Sequence, residues 1–222
     1  MINLTQRLSA AASLIKGGGI VADIGTDHGY LPIYLIQSGK IEKAIAADIG
    51  KMPLENARKS VAQYELSGKI ELRLSDGLNS FTENEVDEIV FAGMGGTLIA
   101  EKLREIPWIK NESLHFVFQP QSRAEDLREF LFANGFEIGE EIATREGNRF
   151  YIAFDAFYTG NIPEFSVADC FLGRLPKTED AKIHIEKQVN RLQKRYDATK
   201  EIGKEDAELF ETIQKLKDFI ND

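Results

Sequence analysis

The sequence lacks the features of secreted, membrane-spanning and polyanion-coating proteins. Its single cysteine, Cys170, excludes an intrachain disulfide, and no run of about 18 apolar residues is available to cross a bilayer. The opening residues lack the apolar core of a signal peptide. The formal net charge of −9 argues against indiscriminate binding to polyanions, because such binding requires clustered lysine and arginine. We therefore expect a cytoplasmic protein without membrane contact, in which any nucleic acid is held by a local patch.

Strand-like and helix-like segments alternate along the first 160 residues. Apolar runs typical of buried strands occur at residues 20–24, 44–48, 70–74, 88–92 and 115–119. Helical candidates lie at 31–38, 53–66, 97–105 and 124–134, and a short amphipathic helix precedes the first strand. This alternation predicts an α/β fold with a mostly parallel sheet covered on both faces. Segments 136–144 and 149–158, joined by a turn that contains Gly147, predict an antiparallel hairpin at its end.

The last 62 residues follow a different pattern. Residues 161–176 contain two prolines and a glycine without a clear period, which predicts a linker. Apolar residues then recur at helical spacing on both sides of a break near Gly203, which predicts an antiparallel helical hairpin with a coiled-coil-like seam. We therefore divide the chain into a domain at 1–160 and a linker with a helical hairpin at 161–222.

A glycine turn, residues 23–32, follows the first predicted strand. Gly25 and Gly29 allow the backbone to turn sharply and to approach a ligand at the start of the next helix. The Gly-x-Gly-x-x-Gly fingerprint of dehydrogenases is absent, because Asp27 stands where its second glycine would be. With Asp23 in first place, the turn instead matches Asp/Glu-x-Gly-x-Gly-x-Gly with the middle glycine replaced. A turn that serves only to pack the helix stays an alternative.

Acidic residues follow the next two predicted strands. Asp48, with Ile49 beside it, lies about 20 residues beyond the turn, the spacing at which a carboxylate reaches ribose hydroxyls in nucleotide-binding sheets. Asp76 can accept a hydrogen bond from an adenine amine, while Gly77 lets the backbone come near. A helix cap for Asp48 and a simple turn at Asp76 are the alternatives. Ligands of such sheets collect at the carboxyl ends of strands, which favours one shared site.

Two further strand ends carry unusual motifs. Gly93 and Met94 belong to a glycine-rich segment, 91–96, that offers a flat apolar surface for a planar base, although Met94 alone could be a core residue. Gln119 and Pro120 end the following strand with an amide beside a fixed turn. The Asp/Asn-Pro-Pro-aromatic motif of enzymes that methylate exocyclic amines is absent, which directs attention away from exocyclic nitrogens.

Together these motifs resemble the bacterial tRNA (adenine-N1)-methyltransferases of the TrmK type, which act on adenine 22 of tRNA. The resemblance rests on residues 22–32, 92–96 and 119–120, and on the succession of a domain and a helical hairpin. Gln121 stands where the family is expected to have asparagine, and Gly29 where alanine is common. The resemblance implies a Rossmann-like class I methyltransferase domain whose sheet closes with an antiparallel hairpin, S-adenosylmethionine as cofactor, tRNA as partner and no metal.

The resemblance also implies roles for residues of the glycine turn. Adenine N1 already carries a lone pair, so the enzyme must position and desolvate the base rather than generate a nucleophile. Asp27 is the candidate catalytic residue, since its carboxylate would hold the exocyclic amine as positive charge develops; binding the methionine amino group is the alternative. His28 either binds the cofactor or is structural, and Tyr30 would contact the extruded base.

Basic residues provide candidate tRNA contacts. The predicted cations are Arg145 and Arg149 at the strand hairpin and Lys187, Arg191, Lys194 and Arg195 on the first helix of the helical hairpin. A solvated helix face is the alternative for the last four. Other open hypotheses are a non-catalytic S-adenosylmethionine-binding RNA adaptor and a methyltransferase acting on a different RNA, a small molecule or a protein.

Overall fold

The computed structural model describes all residues from 1 to 222 and contains one seven-stranded sheet. The strands are β1 (Ile20–Ile24), β2 (Lys43–Asp48), β3 (Ile70–Leu74), β4 (Glu88–Ala92), β5 (His115–Gln119), β6 (Phe136–Glu146) and β7 (Arg149–Tyr158). Their order is β3-β2-β1-β4-β5-β7-β6, with β1 to β5 parallel and β7 antiparallel to both neighbours. The predicted α/β class with a mostly parallel sheet and an antiparallel hairpin is confirmed.

Eight α-helices accompany the sheet. They are α1 (Gln6–Leu14), α2 (Tyr30–Gln37), α3 (Lys51–Gln63), α4 (Gly96–Arg104), α5 (Ala124–Ala133), α6 (Val167–Leu172), α7 (Glu179–Glu201) and α8 (Ala207–Asn221), and a short 3₁₀ turn lies at Pro107–Ile109. No helix is both long and apolar enough to cross a membrane.

The central strands are mostly apolar because helices cover both faces of the sheet, whereas the edge strand β3 contains Glu71 and Arg73. Successive residues of β4 point to opposite sides, so Ile89 and Phe91 join one core while Val90 joins the other. The first core also contains Ile185 of α7 and Ile213 of α8, both fully inaccessible to solvent. The helical hairpin therefore packs onto one face of the sheet and does not project away from it.

Helices α7 and α8 run antiparallel, as predicted. Nζ of Lys177, just before α7, lies 3.1 Å from a carboxylate oxygen of Asp222 at the end of the chain. At the other end, the rings of Tyr196 and Phe210 pack with centroids 5.5 Å apart. Thr178 accepts a hydrogen bond from the amide of Ala181 and caps α7, as its sequence context indicated.

The prediction of a linker without regular structure at 161–176 was wrong in part, because α6 forms inside it. Ser166 caps this helix: its hydroxyl accepts from the amide of Asp169, whose carboxylate accepts from the amide of Ser166 at 2.7 Å. This capping box stabilises a helix of six residues. Six residues are too few to display a helical period in the sequence. The strand hairpin also has a tighter turn than expected, since β6 continues to Glu146.

Candidate functional site

The carboxyl ends of β1 and β4 meet the starts of α1 and α2 around a cavity of about 330 Å³, called the first cavity below. Predicted site residues in its wall are Asp23, Gly25, Asp27, His28, Gly29, Tyr30 and Gly93. They come together because adjacent parallel strands end at the same edge of the sheet. The structure therefore gathers the glycine turn and the end of β4 into one site.

Two glycines make the turn after β1 possible. Gly25 has a φ of +81°, and a Cβ atom on it would lie 2.9 Å from Sδ of Met94. Met94 thus packs against the turn and joins the ends of β1 and β4. Gly29 has a φ of +68° immediately before α2, a conformation that costs other residues energy.

Carboxylates give the site a negative potential. Asp23 is buried, and burial raises its pKa to about 6; a hydrogen bond from Thr26 opposes this rise, and the charge of Asp48 adds to it. The pKa of Asp48 is also raised, chiefly by burial and further by the nearby charge of Asp27, although a hydrogen bond from the amide of Gly50 opposes the shift. Three carboxylates that repel one another favour a cationic ligand.

Asp27 presents its carboxylate at the surface of the first cavity. Its side chain is 68% exposed, and one carboxylate oxygen lies 3.3 Å from Nε2 of His28. The imidazole of His28 in turn stacks on the ring of Tyr30, with centroids 5.0 Å apart and planes 18° from parallel. Tyr30 is itself exposed. The three side chains lie next to one another and offer a ligand both a carboxylate and an aromatic face.

Four other predicted residues extend the same edge of the sheet without lining the first cavity. Asp48 ends β2 and Ile49 follows it, and Asp76 and Gly77 lie just after β3, the next strand outward. Asp76 is held by Nζ of Lys102 at 2.8 Å. The strand ends therefore form a row from the first cavity to Asp76, long enough for an extended ligand.

Arg7 is a residue of this site that the sequence analysis missed. Its Nη1 atom donates a hydrogen bond to Oε1 of Gln119 at 3.2 Å, and its guanidinium lines the first cavity. Gln121 lines the same cavity but was noted only for its departure from the family pattern. No local motif marks Arg7, because folding brings it to a partner 112 residues away.

Gln119 itself has no exposed surface. Its side chain is fully buried, with Oε1 taken by Arg7 and Nε2 donating to the carbonyl oxygen of Pro120 at 3.4 Å. In this structure Gln119 positions Arg7, and the residues of this loop that reach solvent begin at Gln121.

The predicted tRNA-contacting cations fall into two groups. Lys187 and Arg149 line a second cavity of about 340 Å³, called the second cavity below, between the loop after β5, the start of β7 and α7. Arg145 lies beside it, with its guanidinium 5.5 Å from the centroid of Phe150, and Nζ of Lys187 lies 4.4 Å from the same centroid. Arg145 and Lys187 thus lie over one aromatic ring, and Arg149 precedes that ring in β7.

The other three cations lie farther along α7. Arg191 forms an ion pair of 2.7 Å with Glu125, so its charge already has a partner. Lys194 and Arg195 are exposed and form no ion pair. They lie about 10 Å from Lys187 along the helix axis, given a rise of 1.5 Å per residue.

Comparison with known proteins places this site in context. Residues 4–154 match a family model described as a methyltransferase domain. The chain is 34% identical over 150 residues to the tRNA (adenine(22)-N(1))-methyltransferase of Bacillus subtilis strain 168; the matched segment is 68% of this chain and 63% of that enzyme.

Two solved structures match nearly the whole chain. Streptococcus pneumoniae Sp1610 in complex with S-adenosyl-L-methionine superimposes with a TM-score of 0.82 at 32% identity, over 96% of this chain and 98% of that one. M. capricolum TrmK in complex with S-adenosyl-homocysteine superimposes with a TM-score of 0.82 at 26% identity, over 98% of each chain.

Proposed function

Because the chain belongs to the methyltransferase domain family, and within it to the tRNA (adenine(22)-N(1))-methyltransferases, we propose that it transfers a methyl group from S-adenosylmethionine to N1 of adenine 22 in tRNA. The observation that carries the proposal is the first cavity, where a glycine turn, exposed Asp27 and Arg7 meet at the ends of adjacent strands. Residues 161–222 are the proposed tRNA-docking element.

The side chains around the first cavity fit the methionine part of S-adenosylmethionine, which carries an ammonium and a carboxylate next to a sulfonium. Asp23 supplies negative charge for the ammonium, and Arg7 supplies the positive charge that the carboxylate requires. A Cβ atom on Gly93 would lie 3.4 Å from Nη1 of Arg7 and 3.5 Å from Nε2 of Gln121, so glycine keeps this space open. When bound, the cofactor supplies an electrophilic methyl group.

The row of strand ends fits the adenosine part. One oxygen of Asp48 accepts from the amide of Gly50 at 2.6 Å, which leaves the other oxygen for ribose hydroxyls. One oxygen of Asp76 accepts from Lys102 at 2.8 Å, and the second can accept from the adenine amine. Both carboxylates are partly exposed, and a bound nucleoside would exclude water from them and so strengthen each hydrogen bond.

Asp27 is the proposed catalytic residue. Adenine N1 reacts through an existing lone pair, and the base becomes positively charged as the methyl group arrives. A carboxylate at the exocyclic amine forms a hydrogen bond that strengthens with this charge and can then take up a proton. Asp27 suits this role because it is exposed in the first cavity and its nearest polar side chain is His28. Tyr30 offers the adjoining aromatic surface for an extruded base.

The proposed tRNA contacts rest on cations that have no carboxylate partner. Arg145 and Lys187 lie over the ring of Phe150 and Arg149 precedes it in β7; none of the three forms an ion pair although the chain holds 36 acidic and 27 basic residues. Lys194 and Arg195 add two more free charges along α7. A phosphate backbone is a ligand that matches such a surface.

The function is tested with purified protein, labelled S-adenosylmethionine and an unmodified tRNA transcript that carries adenine at position 22. We expect label in the tRNA, mapped by a primer-extension stop at position 22, and no label in a transcript with guanine there. S-adenosylhomocysteine binding without transfer to any RNA would instead indicate a cofactor-binding adaptor. Label in protein, or at another nucleotide, would overturn the assignment to adenine 22.

A further inference from the structure

The second cavity adjoins the first cavity at Gln121, whose side chain lines both. Its walls include Arg149, Phe150 and Tyr151 of β7 on one side and His184 and Lys187 of α7 on the other. Its volume of about 340 Å³ falls within the range of small-ligand cavities, roughly 300–1,000 Å³. From the sequence, Arg149 and Lys187 are predicted only to contact the tRNA backbone, and no ligand is predicted for the space between them.

The unpaired charge in the second cavity is positive. Arg149 and Lys187 form no ion pair, whereas the acidic side chain in its wall, Glu125, is held by Arg191 at 2.7 Å and by Arg123 at 3.6 Å. Arg128 also reaches the wall, but its charge is matched by buried Glu141. Two free cations therefore remain for an anionic ligand of low charge.

His184 adds a neutral polar group. Burial, and then the charges of Arg128, Lys187 and Arg191, lower its pKa to about 4. At neutral pH its imidazole is therefore uncharged and can both donate and accept a hydrogen bond. An uncharged donor and acceptor suits the edge of a nucleobase.

The aromatic side chains of the second cavity indicate which class of anion it binds. Tyr151 is partly exposed in the wall, whereas Nζ of Lys187 already lies over the ring of the preceding residue, Phe150, 4.4 Å from its centroid. Aromatic faces with cations beside them bind unstacked nucleotides, because the base stacks on the ring while the phosphate meets the cations. An inorganic phosphate or a plain acidic segment would leave the rings unused.

We infer that the second cavity holds a nucleotide of the tRNA adjacent to the methylated adenine, with its base on Tyr151 and its phosphate at Arg149 and Lys187. The inference rests on the proposed function. Extrusion of adenine 22 disrupts stacking on its neighbours, and a pocket that captures one neighbour keeps the strand open while the target base occupies the first cavity. The common wall at Gln121 puts the two sites within reach of consecutive nucleotides.

Photocrosslinking tests the position of the neighbour. tRNA transcripts carry 5-iodouridine at position 21 or at position 23, with the pairing partner changed where needed, and are irradiated with the full-length protein and S-adenosylhomocysteine. We expect a crosslink from one of the two positions to Phe150 or Tyr151, mapped by mass spectrometry. Crosslinks from both positions that map only outside the second cavity would overturn the inference.

Binding measurements test the two cations. Arg149→Gln and Lys187→Gln are each expected to weaken tRNA binding by roughly tenfold and to lower the slope of log Kd against log salt by about one. Tyr151→Leu keeps an apolar side chain but removes the ring face, and we expect a loss of tRNA affinity within roughly 5- to 150-fold. The control is Lys59→Gln, an exposed lysine of α3 without an ion pair, which should leave tRNA binding unchanged.

The outcomes separate this inference from the proposed function. Methylation at position 22 by the wild-type protein tests the function, whereas the crosslinks and the Arg149 and Lys187 variants test the cavity. A protein that binds tRNA without methylating it would refute the function, and the crosslinks would still decide the inference. Unchanged tRNA affinity in all three cavity variants, or competition by poly-glutamate as strong as by tRNA, would overturn the inference.

Discussion

Nη1 of Arg7 donates a hydrogen bond to Oε1 of Gln119 over 3.2 Å, and this contact joins α1 to the end of β5 beside the first cavity. Gln119 is fully buried, so its amide has no access to water that could replace the arginine. The same guanidinium is the positive group that the first cavity offers to a carboxylate ligand. One contact thus links the opening helix of the chain to the proposed cofactor site.

Replacement of Arg7 by alanine should weaken cofactor binding. The variant removes the counter-charge for the methionine carboxylate, so we expect the Kd of S-adenosylhomocysteine to rise roughly 10- to 100-fold, the value of a hydrogen bond to a charged group. Isothermal titration calorimetry measures the change. Arg58→Ala is the control, since Arg58 lies exposed on α3 and pairs only with Glu55. An unchanged Kd would remove Arg7 from the cofactor site.

The Asp27→Asn variant separates the two hypotheses for this residue. A catalytic carboxylate at the exocyclic amine predicts that kcat falls by roughly 10²- to 10⁴-fold while the Kd of S-adenosylhomocysteine stays nearly constant. A carboxylate that only binds the methionine ammonium predicts the opposite pattern, a weaker Kd with kcat retained at saturating cofactor. Single-turnover methyl transfer to tRNA and calorimetry on the same preparation distinguish the two.

The raised pKa of Asp23 makes cofactor binding depend on pH. This carboxyl has a pKa of about 6 in the folded protein, so it is ionised at pH 7 and increasingly neutral below pH 6. The cofactor is cationic at its sulfonium and ammonium groups and prefers the ionised form. We expect the Kd of S-adenosylmethionine to rise as pH falls from 7 to 5. The Asp23→Asn variant should bind the cofactor weakly, with a Kd that depends less on pH.

The same shift affects stability in the opposite direction. The folded-state pKa of Asp23, about 6, exceeds the ordinary value of 3.8, so the folded state binds the proton more tightly than the unfolded state. The contribution of Asp23 to the free energy of unfolding therefore falls as pH rises from about 4 to about 6, by at most about 3 kcal/mol. In the absence of cofactor, Asp23→Asn should unfold at a higher temperature than the wild type at pH 7. Equal or lower stability of the variant would show that Asp23 is not desolvated.

Strand positions could be predicted because helices bury both faces of the sheet. Most of these strands appear in the sequence as apolar runs, although the edge strand β3 contains Glu71 and Arg73. Four of the five parallel strands have the predicted bounds, with β2 beginning one residue earlier at Lys43. The same rule placed Asp23, Asp48 and Asp76 along one edge, since parallel strands end together. Helix α6 escaped prediction because its six residues are too few to display a helical period, although it buries Ala168, Cys170 and Phe171 and has a capping box.

Long-range pairing could not be predicted in this way. Arg7 reaches the site through a partner 112 residues away, and Arg191 is held by Glu125, 66 residues before it. No local pattern distinguishes Arg191 from Arg195, yet one has an ion-pair partner and the other does not. Sequence spacing therefore identifies a basic helix face, and only the tertiary contacts show which of its charges remain free for RNA.

A buried histidine at the opposite edge of the sheet provides a test that is independent of the site. Nδ1 of His115 lies 2.7 Å from a carboxylate oxygen of Glu88, and Nε2 lies 2.8 Å from one of Asp155. Burial is the largest single influence on His115 and opposes its charge, but the hydrogen bonds to Asp155 and Glu88 together raise its pKa. Glu88 also accepts from the amides of Lys16 and Gly17, so the network anchors the chain before β1.

The sign of the pH dependence follows from these shifts. Because the folded-state pKa of His115 is raised, its stabilising contribution is complete below its ordinary value of 6.5 and is lost as pH rises through the folded value. We expect His115→Gln to lower the free energy of unfolding by about 3 kcal/mol at pH 6, because the substitution leaves two buried carboxylates without a cation. The free energy of unfolding of the variant should also fall less steeply above pH 6.5 than that of the wild type. Urea unfolding at several pH values measures both effects. Glu112→Gln, an exposed neighbour, is the control, and a His115→Gln variant with wild-type stability at pH 6 would contradict the charged network.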